Sequence, residues 1–299
     1  MDEGRGVLIV AGPTCSGKTA LAIELAERFD AEIVGADSRQ IYRGMPIGTA
    51  APSAEQRARV PHHLIDFLDP FERYSAARFA QDALAMVAAI HTRGRRAIVA
   101  GGTGFYIRAL AGDVALSAAY DADVRARLAR EARTHPPEVL YDWLRARDPA
   151  RAAAISPGDR YRIVRALEIV LAEPRAGAVL EQPSLRAAGL PVLKLALEVP
   201  QDELDRRLAE RVDAMLAAGL LEEAERIGPT AVAADAVGYP QALAYLAGAA
   251  TRAELRATLV RTTRRYAKRQ RTWFRSEPGI RFAAPADVAH LALALPGWE

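Results

Sequence analysis

The stretch GPTCSGKT, Gly12 to Thr19, has the spacing G-x-x-x-x-G-K-[ST]. That spacing suits one kind of chemistry, because it wraps backbone N–H groups around a chain of phosphates. Gly12, Pro13, Thr14, Cys15, Ser16 and Gly17 would form the anion nest. Lys18 would neutralise phosphate oxygens, and the Thr19 hydroxyl would hold Mg²⁺. A helix beginning at Lys18 would add the positive end of its dipole. The bland alternative is a chance match in a structural turn, and the flanks speak against it. The apolar run GVLIVAG precedes the loop and a helical pattern from Lys18 to Phe29 follows, giving strand, loop, helix.

The loop does not say which phosphorylated molecule it holds. An ATP hydrolase would add an apolar strand ending in Asp to position the metal water. The strand AIVAGG ends in glycine instead, and HHLID, which ends in Asp66, is short. An acceptor other than water is therefore expected. Asp37 directly follows EIVGA, and in open α/β sheets ligands bind beyond the carboxyl ends of the strands. A carboxylate there could bind Mg²⁺, take a proton from a nucleophile, or cap a turn with Ser38. Thr103, within GGTG at the end of another strand, points to the same edge, and its glycines permit a ligand to approach the backbone.

These side chains need a frame. Apolar runs at Gly6–Gly12, Ala31–Ala36, Arg96–Gly104 and Val192–Val199 read as buried strands, and Ala76–Ile90 reads as a helix between two of them. The alternation predicts an α/β fold, a P-loop NTPase-like parallel sheet flanked by helices. Asp121–Arg147 and Asp159–Leu171 have helical periodicity, punctuated by Pro136, Pro137, Pro157 and Pro174. They predict a helical insertion domain over 116–188, with 1–115 and 189–299 forming the core. From Gln201 onward helix dominates.

Half of the 299 residues are hydrophobic, enough for a sizeable core. The single cysteine, Cys15, excludes a disulfide framework and a zinc site built on cysteine pairs. No apolar run approaches membrane-spanning length, and MDEGRGVLIVAG reads as a strand rather than a signal peptide. A cytoplasmic protein with no membrane partner is expected.

Net charge is only +3, but the bases cluster. RAELRATLVRTTRRYAKRQRTWFR, Arg252 to Arg275, contains one acid, Glu254. On a helix Arg261, Arg264, Lys268, Arg271 and Arg275 share one face, and Leu255, Leu259, Tyr266 and Trp273 fall opposite and would dock on the core. Like charges at this spacing repel, and a polyanion would relieve the repulsion and gain phosphate contacts. A merely solvated face is the alternative. In the insertion, Arg162 and Arg165 of DRYRIVRALEIV add basic character, as does Arg125. Two function classes stand: a small-molecule kinase holding ATP with Asp37 as base, and an enzyme acting on nucleic acid with a small phosphorylated substrate in the loop. A nucleic-acid-binding regulator would leave the loop and Asp37 idle, and the basic helix favours the second class.

In order along the chain, GPTCSGKTALAIELA, IVGADSRQIYRGMPIGTA, PHHLIDFLDP, AGGTGFYIRAL, DRYRIVRALEI, AVGYPQAL and YAKRQRTWFR resemble the tRNA dimethylallyltransferases, also called tRNA isopentenyltransferases, of bacterial type. ADSRQIYRGMPIGTA is the most specific of these pieces. The resemblance implies transfer of a dimethylallyl group from dimethylallyl diphosphate to the N6 amine of the adenosine 3′ of the tRNA anticodon. It implies Asp37 as base, Thr103 and Arg211 at the diphosphate or reacting centre, and Ser38, Arg39 and Gln40 in the segment holding the target base. Bound tRNA, through its anticodon stem-loop, Mg²⁺ and a monomeric enzyme are the accompanying expectations. The sequence departs from the family pattern at Cys15, where alanine is common, at Ala51, where lysine is usual, and in GDVALSAAYDADVR, which lacks the phrase SPLP.

Overall fold

The five residues of β1 (Val7–Ala11) are all fully buried, as a central parallel strand covered on both faces requires. The computed structural model describes residues 5–114, 116, 121–172 and 183–299. Five further strands follow: β2 (Ala31–Gly35), β3 (His62–His63), β4 (Arg96–Gly101), β5 (Val192–Leu197) and β6 (Ile280–Ala283). All pair in parallel in the order β3-β2-β4-β1-β5-β6. Alternation along β1 divides the core between the two faces of the sheet. Leu8 and Val10 pack with Ile23, Leu25 and Trp298, while Val7, Ile9 and Ala11 pack with Phe79, Val87 and Ile107.

The first part of the chain contributes α1 (Lys18–Arg28), α2 (Pro46–Thr49), α3 (Ala54–Arg59), α4 (Ala76–Thr92) and α5 (Gly104–Ala111). Then come α6 (Ala122–Thr134), α7 (Pro137–Arg147), α8 (Pro149–Ala153) and α9 (Arg160–Ala172), which surround a core of their own built on Leu128, Leu140, Leu144, Ile163 and Leu167. The last part adds α10 (Gln201–Ala217), α11 (Leu220–Ile227), α12 (Tyr239–Leu246), α13 (Arg252–Arg275) and α14 (Val288–Ala292). Two compact units result, Met1–Val114 with Gln182–Glu299, and Ala115–Glu181. Residues 184–188, expected in the insertion, pack with the first unit: Leu185 is fully buried and its N–H donates to the Leu110 carbonyl at 2.8 Å.

Two strands have no counterpart in the sequence reading. β3 is a two-residue pairing, too short for a pattern, and β6 is an edge strand whose Arg281 and Phe282 are exposed. The topology matters more for the site. From β1 the chain moves past β4 to β2, and from β4 it moves past β1 to β5. The switch point therefore lies between the carboxyl ends of β1 and β4, where an open α/β sheet forms its crevice.

Candidate active site

The loop after β1 and the loop after β4 line that switch point. Gly17, at φ 88, sits just before α1, in the left-handed region that glycine enters without strain. Cys15 adopts φ 65, a conformation that costs a side-chain-bearing residue on the order of 1 kcal/mol or more. The Ser16 N–H donates to the Pro13 carbonyl at 3.2 Å and closes the turn. The Ser16 hydroxyl is buried without a protein partner, a polar atom left inside the phosphate loop. The first-turn N–H groups of α1 have no carbonyl one turn earlier, so they are the natural anion donors of this edge.

Three charged side chains gather over the loop. Lys18 reaches back to the Pro13 carbonyl at 3.4 Å. Burial pushes its ammonium below the ordinary lysine value; Asp37 opposes that shift and Arg211 adds to it. Arg211, from α10, donates to the Thr14 hydroxyl at 3.0 Å. One turn earlier on the same helix, Arg207 leans on the Cys15 carbonyl at 3.4 Å. Sequence reasoning missed Arg207, although its spacing of four from Arg211 was a usable signal.

The second wall begins where β2 ends. One Asp37 oxygen accepts the Arg39 N–H at 2.9 Å, so a turn-capping bond does form. The Thr103 hydroxyl accepts the Ser38 N–H at 2.9 Å and donates to the Ser38 hydroxyl at 3.2 Å, joining the loops after β2 and β4. Arg39 forms a two-pronged pair with Asp235, at 2.5 and 3.1 Å. Gln40 gives its amide to the Thr49 and Ala50 carbonyls, at 3.1 and 3.0 Å. The structure thus brings Asp37, Ser38 and Thr103 together, and commits the side chains of Arg39 and Gln40 to neighbouring loops. The glycines of GGTG serve close packing inside the protein rather than ligand approach. A methyl at Gly101 would meet the Ala36 carbonyl, one at Gly102 the Gln270 amide, and one at Gly104 the Trp273 ring.

Along α13, Leu255 and Leu259 are buried as expected, but Tyr266 and Trp273 are only half-buried and Ala267, Gln270 and Phe274 take the buried positions. Tyr266 lies close enough to Asp37 to feel its charge: burial pushes its phenol up, and the carboxylate pushes it further. The basic stripe is divided. Arg264 is exposed but pairs with Asp205 of α10 at 3.0 Å, and half-buried Arg271 bonds Gln201; Arg261, Lys268 and Arg275 are exposed as well. In the second unit Arg125 and Arg165 converge on Glu168, at 3.5 and 2.9 Å, and Arg162 pairs with Asp159 at 3.5 Å. Among the described residues no cluster of three or more His, Cys, Asp or Glu is arranged to hold a metal, and no helix is long and apolar enough to cross a membrane.

A glycine-rich loop at the switch point of a parallel sheet, with a lysine, two arginines and a carboxylate around it, defines a P-loop-type α/β enzyme that works on a phosphorylated substrate. Comparison with known proteins narrows the class. A family model described as IPP transferase matches residues 40–277. A tRNA dimethylallyltransferase of Geobacter sulfurreducens is 45% identical over 283 residues, 92% of this chain and 91% of the relative. One of Thermomicrobium roseum is 46% identical over 304 residues, 100% of this chain and 89% of the relative. Among solved structures, a full-length tRNA isopentenylpyrophosphate transferase of Bacillus halodurans has a TM-score of 0.69 at 35% identity, covering 96% of this chain and 94% of that one. A eukaryotic dimethylallyltransferase acting on tRNA has a TM-score of 0.77 at 26% identity, covering 97% of this chain and 78% of that one. The chain belongs to the IPP transferase family, with the tRNA dimethylallyltransferases.

Proposed function

We propose that this chain transfers the dimethylallyl group of dimethylallyl diphosphate to the N6 amine of the adenosine 3′ of the anticodon in tRNA, forming N6-isopentenyladenosine and releasing diphosphate. The observation that carries this reading is the pairing, at one switch point, of a phosphate loop with the Asp37–Ser38–Thr103 wall, in a chain of this family. An allylic C–O bond breaks when its leaving diphosphate is neutralised. Lys18, Arg211 and the first-turn amides of α1 supply that neutralisation in a partly desolvated place, where fixed charges act most strongly. The N6 lone pair forms the new C–N bond at the allylic carbon as the C–O bond breaks, and the proton released from nitrogen passes to Asp37. Thr103 holds Ser38 and so fixes the loop that presents Asp37.

Mg²⁺ fits this donor set. Thr19 and the diphosphate oxygens would hold it with water, since Mg²⁺ keeps much of its hydration and takes few protein ligands. Bound there it would add charge neutralisation to the leaving group. On the RNA side, exposed bases of α13, Arg261, Lys268 and Arg275 among them, would make phosphate contacts, and the anticodon stem-loop would present its adenosine unstacked. Phosphoryl transfer, the other chemistry open to a phosphate loop, is the weaker reading because the shared family is one of transferases acting on tRNA by name. Incubation with labelled dimethylallyl diphosphate and unmodified tRNA, beside a parallel reaction with ATP, separates the two. Label in the RNA supports prenyl transfer; ATP-dependent phosphorylation of a small acceptor without RNA overturns it.

A further inference from the structure

Gln270 is a neutral residue in the most arginine-rich stretch of the chain, and only 6% of it is exposed. From α13 its side chain reaches two loops at once. Its Oε1 accepts the Thr14 N–H at 2.8 Å, and its Nε2 donates to the Gly102 carbonyl at 2.9 Å. Thr14 belongs to the loop after β1 and Gly102 to the loop after β4, so one amide spans both sides of the switch point. The same contact explains the glycine at 102, where a methyl would collide with the Gln270 nitrogen. The primary amide serves both loops at once, whereas glutamate lacks the donor, lysine and arginine lack the acceptor, and leucine lacks both.

Thr14 is held from two directions, its N–H by Gln270 and its hydroxyl by Arg211. Its N–H is therefore turned away from any phosphate, and the later amides of the loop must form the nest. We infer that Gln270 is a positioning residue for prenyl transfer, fixing the separation between the diphosphate grip at Lys18 and Thr19 and the Thr103–Ser38–Asp37 wall that meets the amine. This inference rests on the prenyl-transfer reading. Bond formation needs the amine and the allylic carbon about 3–3.5 Å apart, and a misplacement of about 1 Å can cost on the order of a hundredfold in rate.

The test compares Gln270→Leu, Gln270→Glu and Gly102→Ala with the wild type. Single-turnover transfer at saturating substrates is measured beside the KM for dimethylallyl diphosphate, tRNA affinity and melting temperature. Each variant should lose about tenfold or more in single-turnover rate, with tRNA affinity within about twofold of wild type. Gly102→Ala should reproduce the effect with Gln270 itself unsubstituted, because the added methyl displaces its amide. An unchanged saturating rate with a lowered melting temperature would make Gln270 purely structural and overturn the inference. A loss of tRNA affinity in step with the rate would move it to the RNA surface and overturn it equally. Hydrogen exchange of the Thr14 amide in the wild-type enzyme needs no variant to fold and no prenyl substrate. It should be protected both without and with inorganic diphosphate, and rapid exchange would refute the strut. Failure of the wild type to label tRNA would instead strike the prenyl-transfer reading, and the exchange result would stand apart from it.

Discussion

Replacing Asp37 by asparagine separates two roles that the structure overlays on one side chain. One carboxylate oxygen accepts the Arg39 N–H at 2.9 Å, and an asparagine carbonyl can accept the same bond. Folding should therefore survive, whereas Asp37→Ala would lose the cap, at about 1 kcal/mol, or roughly 2–4 °C in a domain of this size. Asparagine cannot take a proton. General-base contributions run at about a hundred to ten thousandfold, which is roughly 3–5 kcal/mol of barrier. A second effect follows from charge. Asp37 opposes the burial that lowers the Lys18 value, so removing its charge should lower that value further. The alkaline limb of the residual activity, where Lys18 loses its proton, should accordingly move to lower pH. The assay is single-turnover transfer of labelled dimethylallyl to tRNA across pH, with melting temperature measured on the same preparation. Near-wild-type transfer by Asp37→Asn would refute the base assignment, and an unmoved alkaline limb would refute its coupling to Lys18.

Lys18→Ala should lower prenyl transfer on the order of a hundredfold or more while tRNA binding stays near normal, because charge developing on the diphosphate loses its closest cation; an unchanged turnover number removes Lys18 from the mechanism. The folded-state value of Lys18 lies below 10.5, so the unfolded chain binds more protons between the two, and wild-type stability should rise relative to Lys18→Met as pH climbs through that window, read as urea midpoints. Arg261→Ala and Lys268→Ala should each flatten the salt dependence of tRNA binding by about one unit of slope at most, and Arg264→Ala by less, because Asp205 already pairs with it; a double Arg261/Lys268 variant with the wild-type slope returns this face to mere solvation. Glu223 is fully buried and accepts the Ile47 and Gly48 N–H groups and the Tyr239 hydroxyl, at 3.0, 2.7 and 2.7 Å. Glu223→Gln would set a donor against one of those donors, at about 1–3 kcal/mol, so a melting temperature unchanged within error would contradict that account.

What the sequence made legible were features with local causes. Four strands stood out because strands covered on both faces are short, nearly continuous apolar runs, unbroken in Val7–Ala11 and interrupted once by Glu32 in β2 and by Lys194 in β5. The phosphate loop stood out because its glycine and lysine spacing is a backbone requirement, and α13 because Arg252–Arg275 is a single uninterrupted helical pattern. What stayed hidden had tertiary causes. The glycines after β4 suggested room for a ligand, but their spaces are filled by Ala36, Gln270 and Trp273, residues that only the fold brings near. Arg264 and Arg271 lay in the basic stripe by spacing alone, and their ties to Asp205 and Gln201 depend on how α10 packs on α13. Gln270 itself carried no local signal, being one polar residue among many on a polar helix.

That packing gives α13 two jobs that its sequence shows only in part. Its exposed bases, Arg261, Lys268 and Arg275 among them, suit a polyanion, and a helix with only that task would need nothing more than leucines beneath. Instead Tyr266, Gln270 and Trp273, spaced by four and three, turn inward over the carboxyl edge of the sheet. Tyr266 keeps its proton beside Asp37, Gln270 joins the two loops, and Trp273 fills the space above Gly104. A neutral phenol within reach of the Asp37 charge adds no competing base to that edge. On the proposed reading, the helix whose exposed bases would meet RNA phosphates also covers the loops after β1 and β4, through Gln270 and Trp273, so the surface for the polyanion and the frame of the phosphate loop belong to one element.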